Sequence, residues 1–424
     1  MRSWILAGGI ATLAAAGVLQ QPDKRPYTII VGGDTDGYLA PCGCSTPMVG
    51  GIKRRATAVK LLWNPGRTIF LENGGLVSGT TEQDHIKADT LAFSLAEMKA
   101  TAINYGPSEA RLGAGTLLSL KRESGDKFVS SSVAKSETNE LRQFILAGHY
   151  LIGGVSTQPD LVAAPIQEQP ISVDSAVRKL VDDADQGGVR PILMLQGSHE
   201  DAVRVAKDFP SLALIEYQRS GDPPDKPEWV GATLLVTPGE GGRNIVRVDL
   251  KSGGGLAGYE VKHLGPEFSD DKEVAVIYKS YLRRIEDADL LGKLPRTPGP
   301  AYVGSAACAK CHAQAYSIWH DGKFSGHSRA LTTLEKVGHS KDPDCVGCHV
   351  VGLSHTPGFV SRKATPLLAN VGCESCHGAG AAHSASPKAV KMGKVGQQIC
   401  VTCHTALNSP RFDFATYWSR IKHK

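Results

Sequence analysis

Cys308-Ala-Lys-Cys311-His312 opens a series of four C-x-x-C-H pentapeptides, and that series decides how the C-terminal part of this chain folds. The others are Cys345-Val-Gly-Cys348-His349, Cys373-Glu-Ser-Cys376-His377 and Cys400-Val-Thr-Cys403-His404. This spacing lets two thiols form thioethers to the vinyl groups of one haem while the adjacent imidazole ligates its iron. Chance placement of 10 Cys and 14 His along 424 residues yields about 0.008 such strings. The four strings therefore predict four covalently bound haem c groups. Zinc held by pairs of C-x-x-C thiols is the other metal reading, and it leaves the following His unused four times. Pairs this close are also a poor disulfide framework. Between the motifs lie stretches of Gly, Ala and His, so residues 301–424 are expected to form a small, mainly α, loop-rich module organised around its cofactors.

A chain of 424 residues exceeds one ordinary core and points to two or three domains. Its 41% hydrophobic and 21% charged content is that of a soluble globular protein. At the N-terminus, Arg2 precedes an uncharged run from Trp4 to Leu19, and polar residues follow from Gln20. Residues 1–20 read as an export signal, the run being shorter than the ~20 residues of a spanning helix. An uncleaved anchor is the alternative, and only then would the chain touch a membrane. Covalent haem on an exported protein fits the periplasm. From residue 301 onward 14 Lys and Arg face 6 Asp and Glu, whereas the remainder carries 33 against 36. The propionates of four haems would offset much of that basic excess, so no nucleic-acid partner is expected.

Residues 26–265 alternate between short apolar or β-branched runs and helical patterns. Strands are expected at Tyr27–Val31, Thr68–Leu71, Phe128–Ser131, Gln143–Leu146, Pro191–Leu195, Leu212–Tyr217, Ala232–Val236 and Ile245–Asp249. Helices are expected at Ala88–Ala102, where Leu91, Phe93, Leu95 and Met98 approximate one face, and at Asp174–Asp185 and His199–Asp208. The alternation predicts an α/β domain with a largely buried sheet. In residues 266–300, Asp270 and Glu273 resemble a capping box before a stripe of Val274, Ile277, Tyr278, Tyr281, Leu282 and Ile285. Leu294-Pro-Arg-Thr-Pro-Gly-Pro300 then marks a linker.

The string Asp34-Thr-Asp-Gly-Tyr-Leu-Ala-Pro-Cys-Gly-Cys44, followed by Gly50-Gly-Ile-Lys-Arg-Arg-Ala56, resembles the opening of periplasmic metallophosphoesterases of the 5′-nucleotidase type. Leu71-Glu-Asn-Gly-Gly75, Ala102-Ile-Asn-Tyr-Gly-Pro-Ser-Glu109 and Val246-Arg-Val-Asp-Leu250 extend the resemblance over about residues 26–265. It implies a layered α/β sandwich and, in the family, a two-metal site. Asp34 fits the first ligand, but Asp36 stands where the family has His and Gly75 where it has Asp. The family's Asn-His pair falls on Pro107 and Ser108, a later His on Gln196, and the closing Gly-His-x-His near Gln218 to Gly221. Gly and Pro offer no side-chain donor to a metal, and one carboxylate pair cannot reproduce a bridged two-metal clamp. A scaffold without phosphoesterase activity is expected, with hydrolysis through an altered site as its alternative. Cys42 and Cys44 fit a strained disulfide, a metal site, a redox dithiol or two inert thiols, and the sequence does not choose among them.

Tyr302-Val-Gly-Ser-Ala-Ala-Cys-Ala-Lys-Cys-His312, Trp319, Gly326-His-Ser-Arg-Ala330, Gly372-Cys-Glu-Ser-Cys-His-Gly378, His383 and Trp418 to His423 resemble the tetrahaem cytochromes that accept electrons from hydroxylamine oxidoreductase. The fifth iron ligands follow from the motifs themselves as His312, His349, His377 and His404. Six further His remain in the module: His320, His327, His339, His355, His383 and His423. The resemblance favours His327, His383 and His423 as sixth ligands, giving three haems with two imidazoles each, and it leaves the iron of His349 open to a small ligand. His339 and His355 lie close to that motif in sequence and are alternatives for the fourth position. The reading is an exported electron carrier working between a periplasmic redox protein and another such protein or a membrane-bound electron-transfer complex. The alternative is a multihaem oxidoreductase acting on a small nitrogen or sulfur compound at an open iron.

Overall fold

The computed structural model describes residues 25–41, 48–135, 141–251, 254–322, 325–405, 408–409 and 411–423. The expected export signal and Cys42 and Cys44 lie outside the described residues. Twelve strands build two sheets: β1 (Tyr27–Gly32), β2 (Thr68–Glu72), β3 (Ala102–Asn104), β4 (Phe128–Val129), β5 (Phe144–Ala147), β6 (Tyr150–Ser156), β7 (Arg190–Gln196), β8 (Leu214–Tyr217), β9 (Glu228–Val230), β10 (Thr233–Val236), β11 (Asn244–Leu250) and β12 (Leu256–His263). The first sheet runs β12-β11-β1-β2-β3-β4 and the second β5-β6-β7-β8-β10-β9. Strands β1 to β4 are parallel, as are β6, β7, β8 and β10.

Side-chain alternation explains the layering. Ile29, Val31, Ile69 and Leu71 face the second sheet and meet Ile152, Ile192, Met194 and Leu234. Ile30 and Phe70 point the other way, onto Leu91 and Leu95 of the Glu82–Glu97 helix. On the outer side of the second sheet, Leu193 and Leu195 pack with Val177, Leu180 and Val205 of the Val173–Gln186 and His199–Asp208 helices. The result is a helix–sheet–sheet–helix sandwich, as the resemblance implied. One expected helix is displaced. Ala88–Ala102 is corrected to Glu82–Glu97, started by a Thr81–Asp84 capping box, and Ala102 begins β3. Phe93, assigned above to the buried face, is 49% exposed.

The Lys272–Asp287 helix is N-capped by Asp271 and buries Val274, Tyr278, Tyr281 and Ile285 in the same cluster as the Glu82–Glu97 helix. Beyond it, Thr297–Pro298 pairs with His355–Thr356, and short helices follow, among them Ser305–Ala309, Ala313–Asp321, Ala330–Lys336, Pro343–Val346, Cys373–His377, Gln397–Cys400 and Phe414–Ile421.

Buried charge collects at the strand ends. Arg55 and Glu72 form an ion pair with side chains 2% and 0% exposed, and Arg55 also donates to Thr35 Oγ1 at 3.2 Å. Glu216 of β8 is fully buried, and neither carboxylate oxygen has a well-formed hydrogen bond. Burial raises its pKa well above the ordinary 4.5; the negative charges of Glu72 and Asp34 add to that, and Arg55 and the Asn73 backbone oppose it. A carboxyl that keeps its proton longer when folded weakens the fold once pH exceeds the unfolded-state value. Glu216→Gln should therefore match the parent below about pH 4.5. Above that it should gain on the parent by up to about 1.4 kcal/mol per pH unit until the folded-state pKa is passed. Denaturation midpoints measured across pH check this, and a pH-independent difference would contradict it.

Candidate functional site

The positions that the family uses for metal converge at the carboxyl ends of β1, β2, β3, β7 and β8, but amides fill the space. Gln218 donates from Nε2 to Asp34 Oδ1 at 2.6 Å. Gln196 donates from Nε2 to the Asn73 carbonyl at 2.7 Å, and its side chain occupies the space where a Cβ on Gly106 would sit. Asn104 donates from Nδ2 to Asn73 Oδ1 at 3.0 Å, and Asn73 in turn donates to the Leu195 carbonyl at 2.9 Å. Glu109 is spent on backbone, accepting from Leu76 N–H at 2.9 Å and Gly106 N–H at 3.1 Å. Pro107 opens a short helix, and the Ser108 hydroxyl donates to the Val77 carbonyl.

Asp34 and Asp36 both hold left-handed backbone, φ 47° and 52°. Burial raises the pKa of Asp34 well above the carboxylate range, against the pull of the Gln218 hydrogen bond, and that of Asp36 to about 6. Arg55, Glu72, Asn104 and Glu216 were not singled out from sequence as site residues. The first three lie in strings quoted above, but their burial together is a product of the sheet pairing. Among the described residues, no group of three or more His, Cys, Asp or Glu is arranged to hold a metal ion.

The four C-x-x-C-H motifs sit on short helical turns. In the first and last, the His N–H donates to the carbonyl of the leading Cys at 2.9 Å, folding thiol and imidazole onto one turn. Motifs distant in sequence are brought together. Cys308 lies against Cys373, Cys376 against Cys400 and Cys403, and Cys403 against Cys348. Glu374, inside the third motif, accepts from Val303 N–H at 3.0 Å and from Gly304 and Gly380 N–H at 2.7 Å. Ser305 Oγ accepts from Cys373 N–H at 3.0 Å, completing a staple between the first and third motifs. The eight described cysteines are free of disulfides.

The histidines fit haem iron. The His312 and His383 ring centroids are 6.2 Å apart, and those of His377 and His423 are 5.8 Å apart. At about 6 Å between centroids, the two rings of a pair could hold one metal ion between them. His327 lies near both His404 and His349. Burial lowers the pKa of His327, His349 and His404, favouring the neutral imidazole that a metal needs. Several Nδ1 atoms are held by the chain: His349 by the Ala330 carbonyl at 2.8 Å, His377 by that of Gly393 at 3.0 Å, and His383 by that of Val390 at 2.7 Å. Such bonds orient the ring, as the outer nitrogen of a metal-binding imidazole is commonly held. The remaining candidates are engaged elsewhere. His339 packs edge-on against Tyr278, His355 Nδ1 lies 3.3 Å from the Tyr302 hydroxyl, and His320 Nδ1 lies 2.6 Å from Asp321.

Comparison with known proteins agrees with both halves. Residues 307–378 match the family described as cytochrome c554 and c-prime. Cytochrome c-554 of Nitrosomonas europaea is 32% identical over 94 residues, an alignment taking in 19% of this chain and 39% of that protein. The chain thus spans well under half of the curated relative's length. In fold it is similar to a 5′-nucleotidase precursor of Thermus thermophilus, with a TM-score of 0.53 and 16% identity over 74% of this chain and 68% of that one. It is likewise similar to the NAD nucleotidase of Haemophilus influenzae, with a TM-score of 0.52 and 13% identity over 66% and 64%, and to a Thermus thermophilus sulfate thiohydrolase, with a TM-score of 0.51 and 13% identity over 67% and 64%. A cytochrome c554-type segment, with the covalent haem c that such a family implies, is therefore joined in this chain to a sandwich of the 5′-nucleotidase fold.

Proposed function

We propose that the chain is an exported tetrahaem electron carrier. Its thiols would be Cys308 and Cys311, Cys345 and Cys348, Cys373 and Cys376, and Cys400 and Cys403, with His312, His349, His377 and His404 as proximal ligands. When bound, each haem supplies an iron that gains and loses one electron. The carrying observation is the pairing of His312 with His383 and of His377 with His423 at centroid spacings of 6.2 and 5.8 Å. Two imidazoles per iron leave no coordination position for a substrate, so such centres serve transfer alone. His327 would complete the centre of His404. Export through residues 1–20 to the periplasm, and a soluble or membrane-bound redox partner there, complete the reading. Among the described residues no helix is long and apolar enough to cross a membrane.

The engagement of His339 and His355 with Tyr278 and Tyr302 supports a second reading, a reactive open iron at His349. A high-spin ferric signal that responds to cyanide or nitric oxide, together with turnover, would favour it. The N-terminal sandwich would serve as scaffold, because Gln196 and Gln218 occupy the places of metal ligands.

The intact mass should exceed the exported polypeptide's by four haems, and a polypeptide without added macrocycles would end the carrier reading. His383→Ala and His423→Ala should each convert one low-spin centre to high-spin, read by electron paramagnetic resonance, with the other centres unchanged. Phosphoester hydrolysis with added manganese or zinc should stay at background, and turnover with bound metal would overturn the scaffold assignment.

A further inference from the structure

The sandwich and the haem segment meet at a polar clamp beside the second motif. Asp342 is 5% exposed and accepts from Gln83 Nε2 at 2.8 Å and from the Tyr281 hydroxyl at 3.0 Å. Gln83 also reaches the Tyr281 oxygen at 2.9 Å, so the three side chains close a ring. Two residues on, Asp344 is ion-paired with Lys87, whose side chain is only 9% exposed. Gln83 and Lys87 stand on the Glu82–Glu97 helix and Tyr281 on the Lys272–Asp287 helix, both part of the sandwich's packing.

What the clamp grips is the start of the second motif. Asp342 caps the Pro343–Val346 helix by accepting from Asp344 N–H at 3.0 Å, and its carbonyl accepts from Cys345 N–H at 3.1 Å. Lys87 also lies beside the turn of Asp34 and Asp36, where a Cβ on Gly37 would stand 3.1 Å from its Cδ. The Lys87 side chain is covered while that of its partner Asp344 is 56% exposed. A lysine without a partner would be costly, and its partner adjoins a haem thiol.

We propose that Gln83, Lys87 and Tyr281 are positioning residues through which the sandwich sets the reduction potential of the haem held by Cys345, Cys348 and His349. Charge close to a haem shifts its potential, an uncompensated anion favouring the ferric state. Lys87 neutralises Asp344, and the two donors on Asp342 disperse its charge. The inference rests on the tetrahaem reading.

The test uses the full-length holoprotein, its haem content first verified by mass. Potentials are followed by spectroelectrochemical titration and electron paramagnetic resonance. Lys87→Gln should lower one of the four midpoints and leave three in place, and Lys87→Arg should restore it. Tyr281→Phe, which removes one hydroxyl from an otherwise intact core, should lower the same midpoint by less. Four unmoved midpoints, or a uniform shift of all four, in either variant with four haems bound would overturn the inference while leaving the carrier reading intact. A parent protein without haem would instead remove the reading on which it rests.

Discussion

The C-terminal segment depends on a core that its own side chains do not supply. Its buried apolar cluster, Leu331, Leu334, Val346, Val350, Val351, Leu353, Phe359 and Leu368, gathers around the second motif. The other three motifs lie near one another through their thiols, and Cys403 of the fourth also reaches Cys348 of the second. Ordering a backbone costs about 1–2 kcal/mol per residue, more than so small a cluster offsets. The haem that a cytochrome c554-type segment implies would therefore be structural as well, and polar staples such as Glu374 hold the chain where apolar contacts are few. The one motif with an apolar surround is also the one joined to the sandwich.

The sandwich solves the opposite problem. Its two sheets and flanking helices bury ample apolar surface, and at the strand ends it also buries charge. Here one guanidinium, Arg55, pairs with Glu72 and lies near Glu216, while Gln196, Gln218 and Asn104 satisfy carbonyls and the Asp34 carboxylate. Burial holds the pKa of Asp34 and Glu216 well above the carboxylate range, so both keep their protons to higher pH than exposed carboxyls do.

Much of this was legible in the residues. Among the described residues, eight of the twelve strands of the two sheets fall where apolar runs place them. Strand β6 escaped because Gly153 and Gly154 break its pattern; an added Cβ on Gly154 would collide with Asn104, so the glycine serves close packing. Strand β12 escaped because it is an edge with polar residues on both faces. The Glu82–Glu97 helix was placed too late because its first turns carry Gln83 and Lys87. These are buried polar residues whose partners, Asp342 and Asp344, lie some 260 positions away in sequence. No local periodicity reports a partner at that distance. The imidazole pairs are likewise a product of tertiary proximity, with resemblance rather than spacing having pointed to them.

The wedging of Gln196 between the Asn73 carbonyl and Gly106 also bears on how hard it would be to install a metal here. Placing a single imidazole at one of these strand ends would not create a hydrolytic centre, because the neighbouring amides bond to one another and to backbone carbonyls and Pro107 has no donor to offer. Several coordinated substitutions would be required before any ion gained a foothold.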